Sequence, residues 1–345
     1  VLRTLKLVRS FDQPFNNDRL AKLGPGRFNR RLTTHELTRN RPDAVMVWSQ
    51  LRLTLGPALA AQDLGIPTVF TMNDEHPIGY TSGAMGWSPG AMAGWVLDRM
   101  QIAGLSLDLL DLSHTICVSK SLKRRLIEAG VPVEGADVVY QGIPTGFFPQ
   151  KEDPGSIHEP VRVLYVGQIH PYKGVHTLVE AFVRLHEIEG GRWRLTIVGE
   201  GPDDYVKDLR VSAESTGGAC AFNGKATYAE LPAIYRDHDI FVFPSTSVEA
   251  FGLTQLEAMC SGLPVVATSE GGHGEVLVDG DNALIFPQGD ADALAKRLKR
   301  LSDDEPLRRS LARNGALMVR NRFDTVRYFD DVEAFLEKTL RDSRS

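Results

Sequence analysis

The sequence has few of the features that mark secreted, membrane-spanning or nucleic-acid-binding proteins. Its three cysteines, Cys117, Cys220 and Cys260, stand far apart, so they form no CxxC pair and predict no disulfide framework. No apolar run reaches the ~18 residues that a bilayer-spanning helix needs, and no signal peptide is visible. The net charge of −5 gives no sign of general nucleic-acid binding. These absences favour an ordinary globular protein of a reducing compartment, which we expect in the cytoplasm.

Two glycine-rich signatures are also missing. No GxGxxG follows a predicted strand, which argues against a dinucleotide oxidoreductase. No glycine-rich turn occurs before residue 54, although a nucleotide-type α/β half usually opens with an apolar strand and such a turn. We therefore expect that the first βαβ unit of the N-terminal domain is absent from this chain.

The order of apolar segments predicts alternating strands and helices, as in parallel sheets with crossover helices. In the first half, strands are predicted at 42–50 and 66–74, with a helix at 55–65 between them. A loop at 79–95 and an apolar helix to about residue 112 follow. The segment 113–130 is predicted to contain a strand, a serine cap and a basic helix, and the last strand lies within 131–149. The polar, proline-rich segment 149–160 is predicted as a hinge. We expect an N-terminal domain of residues 1–155, completed by a C-terminal helix at 323–345, and a second domain of residues 156–322.

The segment VEAFGLTQLEAMCSGLPVVATSEGG, residues 248–272, is the most informative about chemistry. It follows an apolar strand at 240–245 and leads into a helix that we predict to begin near Gly252. Glu249 stands just before that helix and Glu257 about a turn and a half inside it. A helix N-terminus has unpaired N–H groups and about half a positive charge, which suits phosphate, whereas carboxylates repel phosphate and accept hydrogen bonds from sugar hydroxyls. The combination predicts a site for a nucleoside diphosphate joined to a sugar, and the alternative is an ordinary helix with two exposed glutamates.

The spacing from Glu249 to Glu257 reproduces the E-x7-E signature, and the chain resembles the retaining, nucleotide-sugar-dependent glycosyltransferases of the GT-B fold, family 4. The other segments that follow this family's order are 161–182, 193–202, 222–245 and 271–298. The resemblance implies an α/β fold of two Rossmann-like, doubly wound domains that face an interdomain cleft. It also implies transfer of a sugar from a UDP- or GDP-type donor to a glycan, a lipid-linked glycan or a small molecule, as in polysaccharide biosynthesis, without a metal or cofactor.

The resemblance also assigns residues to the donor. Glu249 would contact the transferred sugar, Glu257 the ribose, and Lys173 of HPYKG would neutralise the charge that the leaving diphosphate gains. The alternative for Lys173 is a solvated surface lysine. The expected donor-binding residues are Gly167, Gln168, Lys173, Gly199, Lys225, Glu249, Phe251, Gly252, Leu253, Glu257 and His273.

Position 168 departs from the family pattern, because an arginine usually follows Gly167 and this chain has Gln168. The site therefore has one positive charge fewer. His170, Lys225 or a basic residue of the N-terminal domain would have to substitute for it.

The acceptor side departs further. The family commonly carries a histidine after the strand at 66–72, but here Asn73 and Asp74 stand at the matching place. Asparagine is no general base at neutral pH, although it can donate a hydrogen bond to a sugar hydroxyl. The family's front-face attack, in which the leaving phosphate helps to deprotonate the acceptor, lessens the need for a base. The candidate catalytic residues are Glu249, Lys173, Asp74 and Asn73, with His76 as a further group that could orient the acceptor.

Three further segments bear on metal and membrane binding. Asp237-His238-Asp239 has the D-x-D spacing of some metal-dependent transferases, but it precedes a buried strand and matches a structural segment of the family, so we predict no metal. The basic helix within 113–130 and the basic segment 27–41 could touch anionic lipid as a peripheral contact, although a solvated helical face is the favoured explanation.

Two other functions stay open. One is another GT-B activity, such as a nucleotide-sugar epimerase, a hydrolase or a phosphorylase. The other is a nucleotide-sugar-binding protein with little catalysis, which Gln168 and Asn73 would suit.

Overall fold

The structure, a computed structural model, describes residues 19–48, 54–81 and 106–343, and the side chains from residue 25 onward. Most of the predicted loop at 79–95, and of the apolar helix after it, lies outside these residues. The chain divides into two compact units, residues 1–140 with 330–345 and residues 141–329. The boundary expected between residues 155 and 156 stays a prediction. Within the described ranges, no helix is both long enough and apolar enough to cross a membrane.

The first unit is built on a parallel sheet with the strand order β1-β2-β3-β4. Strand β2 is buried along its whole length, because it is paired on both edges and covered by helices. The strands are β1 (Val45–Trp48), β2 (Thr68–Met72), β3 (Thr115–Cys117) and β4 (Asp137–Val138). The helices that precede the crossing to the second unit are α1 (Arg19–Asn40), α2 (Gly56–Asp63) and α3 (Lys120–Glu128).

Helix α1 was not predicted. Its sequence contains Gly24-Pro25-Gly26, residues that disfavour a helix interior. The helix packs on α2, whose small residues Ala58, Ala60 and Ala61 are fully buried. Tertiary packing therefore outweighs local propensity here.

Helix α3 begins and ends as the sequence predicts. The hydroxyl of Ser119 accepts a hydrogen bond from the Leu122 N–H at 3.0 Å, which caps the first turn. Gly130, with φ 81°, follows the last turn. On its basic face, Lys123 Nζ donates to the Ala136 carbonyl at 2.7 Å, so one of the cations available for lipid is already engaged in the fold.

The second unit is built on a parallel sheet with the order β10-β9-β8-β5-β6-β7. Its strands are β5 (Val161–Val166), β6 (Trp193–Val198), β7 (Cys220–Phe222), β8 (Ile240–Phe243), β9 (Val265–Ala267) and β10 (Leu284–Ile285). Its helices are α4 (Val175–Glu189), α5 (Asp203–Ser212), α6 (Leu231–Arg236), α7 (Leu253–Cys260), α8 (Ala291–Asp303) and α9 (Glu305–Arg322). Helix α10 (Thr325–Asp342) follows, and its residues from 330 onward group with the first unit.

The order of this sheet fixes where a ligand would lie. The chain runs from β5 through β6 to β7 on one side, and then returns to place β8, β9 and β10 on the other side of β5. The connections that leave β5 and β8 therefore diverge, which opens a crevice at the carboxyl ends of these two neighbouring strands. In open α/β sheets this is the usual place for a ligand.

The segment 149–160, predicted as a hinge, is bonded along its length to the second unit. Lys151 donates through its backbone N–H to the Ser261 carbonyl at 3.0 Å and through Nζ to the His238 carbonyl at 2.7 Å. The guanidinium of Arg308, which is buried, donates to the Gly155 carbonyl at 2.6 Å. Several polar groups of this segment therefore have fixed partners in the second unit, and the hinge expected there stays a prediction.

Asp239, of the D-x-D sequence, is one of those partners. Its buried carboxylate accepts hydrogen bonds from the backbone N–H groups of His158 at 3.0 Å and Arg162 at 2.8 Å, and contacts His158 Nδ1 at 2.7 Å. These contacts give Asp239 a structural role at the start of β8.

Candidate functional site

The crevice between β5 and β8 contains an ion pair formed by two predicted site residues. Lys173 Nζ lies 2.8 Å from Oε1 and 2.9 Å from Oε2 of Glu249, so the ammonium contacts both carboxylate oxygens. Only 23% of the Lys173 side chain and 13% of the Glu249 side chain are exposed. Partial burial of this kind strengthens an ion pair relative to one on the open surface.

A close approach of two loops brings Lys173 to this place. Lys173 ends a short turn, Pro171–Lys173, and Gly174 follows with φ 67° as the residue before α4. A Cβ at Gly174 would lie 1.8 Å from the Pro244 carbonyl oxygen, so only glycine lets the loop after β5 pack on the loop after β8. The Thr246 N–H then donates to the Tyr172 carbonyl at 3.0 Å, which joins the two loops beside the ion pair.

Glu249 is fixed independently of Lys173. The hydroxyl of Ser245, which is buried, donates to Glu249 Oε1 at 2.6 Å. The backbone carbonyl of Glu249 accepts from the Gly272 N–H at 2.7 Å, and Glu249 also forms an isolated parallel bridge with Gly271. The carboxylate is therefore held both by its side chain and by its backbone.

Helix α7 begins at Leu253, shortly after Glu249 in the chain. Gly252 is its N-cap, with φ 95°, and within the described part of the chain no side chain caps this helix end. Its first N–H groups thus lack the side-chain acceptor that most helices provide. Phe251 is buried and its ring lies 5.9 Å from that of Phe323, so the residue anchors the loop through its side chain.

Glu257 lies inside helix α7 and is buried. Its Oε2 accepts a hydrogen bond of 2.8 Å from the hydroxyl of Tyr235, which is itself fully buried. Burial raises the pKa of Glu257 from its ordinary 4.5 to about 7, while the Tyr235 hydrogen bond lowers it. The raised pKa favours the neutral carboxyl group, which repels a nearby phosphate less than an ordinary carboxylate would.

Four predicted donor-binding residues line one cavity of about 320 Å³ on the other side of β5. The four are Gly167, Gln168, Gly199 and Lys225. The other residues that line the cavity are Val166, Val198, Glu200, Ala226 and Leu231. A Cβ at Gly199 would lie 1.8 Å from the Gly167 carbonyl oxygen, so this glycine also has a packing role.

Gln168 connects the cavity with the ion pair. Its backbone carbonyl accepts from the Tyr165 hydroxyl at 2.6 Å, and its Oε1 accepts from the Tyr172 hydroxyl at 3.0 Å. His170 stacks on the ring of Tyr172 at 5.2 Å. Two residues were named as substitutes for the missing arginine. Lys225 lines the cavity, and His170 packs on Tyr172, the tyrosine that donates to Gln168.

His273 lies beneath the site and is fully buried. Its Nε2 contacts the Thr268 carbonyl oxygen at 3.0 Å, and its ring lies 4.9 Å from that of Phe243. Burial lowers the pKa of the imidazole, although the nearby Glu249 raises it, so the ring is neutral at physiological pH. The side chain supports the loop after β9 and does not reach the solvent.

The predicted acceptor residues lie in the first unit, after β2. The Asp74 carboxylate contacts His76 Nδ1 at 2.8 Å and accepts from the His76 N–H at 3.0 Å, so it stabilises the turn His76–Tyr80. Asn73 Nδ2 lies 3.5 Å from the Thr71 hydroxyl. These contacts are local, and a polar loop has them whether or not it binds an acceptor.

Three residues of the site were not predicted: Ser245, Tyr172 and Tyr235. Ser245 follows a strand in the sequence FPS, directly before the Glu249 loop, and that position could have identified it. Tyr172 contacts Gln168 within one loop, four residues away, whereas Tyr235 reaches Glu257 only through the tertiary fold.

Two units with parallel α/β sheets, the second with an ion pair and a helix N-terminus at its switch point, define the GT-B class. The chain belongs to the glycosyltransferase family described as Glycosyl transferases group 1, whose profile matches residues 147–318. The profile of Glycosyltransferase Family 4 matches residues 5–147.

Named relatives agree with this family. The glycogen synthase of Mycobacterium tuberculosis is 29% identical over 293 residues, which cover 82% of this chain and 66% of that protein. The amylovoran biosynthesis glycosyltransferase AmsK of Erwinia amylovora is 30% identical over 194 residues, which cover 54% of this chain and 47% of that protein. The matched regions thus span only about half to two thirds of the length of these relatives.

The fold is shared with Anabaena Alr3699/HepE. The crystal structure of that protein in complex with UDP superposes with a TM-score of 0.72 at 21% identity, over 90% of this chain and 82% of that chain. Its complex with UDP-glucose gives a TM-score of 0.71 at 22% identity, over 94% and 85%.

Proposed function

We propose that the protein is a retaining glycosyltransferase that binds a nucleotide-diphosphate sugar, of the UDP or GDP type, in its second unit. The acceptor would be a carbohydrate, a lipid-linked glycan or a small molecule. The observation that carries the proposal is the Lys173–Glu249 pair, which lies at the switch point of the sheet. Glu249 stands a few residues before the N-terminus of α7, which no side chain of the described residues caps.

The charges of this site suit a diphosphate that leaves. Breaking the bond between the anomeric carbon and the phosphate oxygen places additional negative charge on the phosphate. The ammonium of Lys173 and the N–H groups at the start of α7 are the positive groups available to that charge. The new bond forms between the anomeric carbon and an acceptor hydroxyl oxygen, and the hydroxyl proton passes to the departing phosphate.

The remaining groups suit the sugar and the nucleoside. The Glu249 carboxylate can accept hydrogen bonds from sugar hydroxyls, which are donors. The neighbouring cavity of about 320 Å³ has room for a nucleobase, and Lys225 and Gln168 supply polar groups at its wall. Glu257, whose pKa is raised by burial, lies on helix α7 and is the candidate group for contact with the ribose. A protein of this fold, Anabaena HepE, has been crystallised with UDP-glucose, which supports such a donor here.

The proposal is tested by calorimetric titration of the full chain with UDP and GDP. Lys173→Met should weaken binding of the preferred nucleotide about 10- to 100-fold, because a charged hydrogen bond to phosphate is lost. Lys207→Met is the matched control, since Lys207 is an exposed lysine on α5, and it should bind like the wild type.

Turnover of the corresponding nucleotide sugar with a panel of acceptors then tests the reaction. Product that retains the anomeric configuration, lost in the Lys173 variant, supports the transferase. Consumption of the donor without acceptor would indicate an epimerase or hydrolase instead, and binding without turnover would indicate a nucleotide-sugar-binding protein. Equal nucleotide affinity of the Lys173 and Lys207 variants would contradict the donor site itself.

A further inference from the structure

The two charged groups assigned to the donor are bonded to each other in this structure. Both carboxylate oxygens of Glu249 contact Lys173 Nζ, at 2.8 and 2.9 Å. An ammonium has three donors, and here two of them are directed at the two oxygens of the carboxylate. A diphosphate that binds Lys173 must therefore compete with Glu249 for the same cation.

The contacts of the two residues differ in how firmly they hold them. Glu249 is kept in place by Ser245, whose hydroxyl donates at 2.6 Å, and by the backbone bond from Gly272 at 2.7 Å. Among the described residues, the Lys173 ammonium contacts Glu249 and the ring face of Tyr172, whose centroid lies 5.6 Å away. Because the lysine side chain is a flexible four-carbon stem, the Lys173 ammonium can turn away from the carboxylate while Glu249 keeps its position.

We propose that the Lys173–Glu249 pair is the resting state of the donor site and that a diphosphate opens it by taking Lys173. Ser245 is then the positioning residue that keeps the Glu249 carboxylate oriented after Lys173 has left. The inference rests on the proposed function, since it assigns the diphosphate to Lys173 and the sugar to Glu249. It adds that the two binding events are coupled.

The coupling has a consequence that simple donor contacts do not have. A nucleotide without a sugar breaks the ion pair and leaves Glu249 without a cation, so part of its binding free energy is lost. A nucleotide sugar offers hydroxyl groups to Glu249 in exchange. Removal of the Glu249 charge should therefore strengthen binding of the bare nucleotide while it weakens recognition of the sugar.

The test is a calorimetric titration of the full chain with UDP and UDP-glucose at one ionic strength, with GDP and GDP-mannose as the second pair of probes. Glu249→Gln keeps an oxygen for the Ser245 hydroxyl and releases Lys173. This variant should bind UDP about 3- to 10-fold more tightly than the wild type, the range expected from a partly exposed ion pair. Its preference for UDP-glucose over UDP should fall.

Two further variants test whether the change in UDP affinity comes from the ion pair itself. Glu270→Gln removes an exposed carboxylate from the loop after β9 and leaves the ion pair intact, so it should change UDP affinity much less. Ser245→Ala should weaken UDP-glucose binding and leave UDP binding unchanged, whereas a purely structural role for Ser245 would weaken both. Thermal unfolding of each variant shows whether it is folded.

The outcomes distinguish the two proposals. Absence of binding by the wild type to either nucleotide pair overturns the proposed function and the exchange together. Wild-type binding with a Glu249 variant that binds UDP no better than the wild type, or no better than the Glu270 variant, overturns the exchange alone. A UDP complex in which Lys173 Nζ stays on both Glu249 oxygens would do the same.

Discussion

The carboxyl group of Glu257 should make the stability of the second unit depend on pH. Burial raises its pKa from 4.5 to about 7, against the smaller opposite effect of the Tyr235 hydrogen bond. Between these pH values the folded protein holds a proton that the unfolded chain has released. The contribution of this group to stability is therefore complete below pH 4.5 and is lost as the pH rises through about 7.

The size of the effect follows from the two pKa values. At about 1.4 kcal/mol per pH unit, the interval from 4.5 to about 7 corresponds to a loss of about 3 kcal/mol. Glu257→Gln carries no charge and keeps an oxygen that can accept the Tyr235 hydrogen bond. The free energy of unfolding of this variant, relative to the wild type, should rise by about 2 to 3 kcal/mol between pH 5 and pH 8.

Urea unfolding at a series of pH values measures this difference. Trp193 is fully buried in the second unit, so tryptophan fluorescence follows its loss. Glu187→Gln is the control, because Glu187 is an exposed carboxylate on helix α4. If the Glu257 variant and the wild type differed by the same amount at pH 5 and pH 8, the carboxyl group would not be the buried acid described above.

Two further substitutions test the packing that supports the site. Gly174→Ala should lower the free energy of unfolding of the second unit by more than about 3 kcal/mol, because the new Cβ would meet the Pro244 carbonyl. The control is Gly217→Ala, at a similar positive φ with open space around it, which should cost only about 1 kcal/mol in chemical denaturation. Equal costs would contradict the close approach of the two loops. Arg308→Met should cost about 3 kcal/mol, since three backbone carbonyls lose the donors of a buried guanidinium. Arg309→Met, which changes a partly buried neighbour, should change the unfolding midpoint little. A tolerated Arg308 variant would show that water replaces these bonds.

Local patterns predicted the elements of the second unit that frame the site. The strand before the Glu249 loop was expected at 240–245 and is observed at Ile240–Phe243, and the helix expected near Gly252 begins at Leu253. An apolar run and a glycine are local features, so the sequence contains them directly. The resemblance to the family then predicted that Lys173 and Glu249 share one site, although they are 76 residues apart in the sequence.

Contacts that depend on packing were not predictable in the same way. The Tyr235–Glu257 hydrogen bond joins two helices, and neither segment shows by itself that the acid is buried. The segment 149–160 has the composition of a linker, but its partners, such as Arg308, are distant in the sequence. Helix α1 contains Pro25, which disfavours a helix unless its neighbours stabilise it.

The bonding of residues 149–160 determines how the second half of this protein can be studied alone. A fragment that begins at residue 156 would delete the partners of Ser261, His238 and Arg308, and would leave those polar groups without their hydrogen bonds. Recombinant expression of this half should therefore begin at Gln141, where the compact unit itself begins.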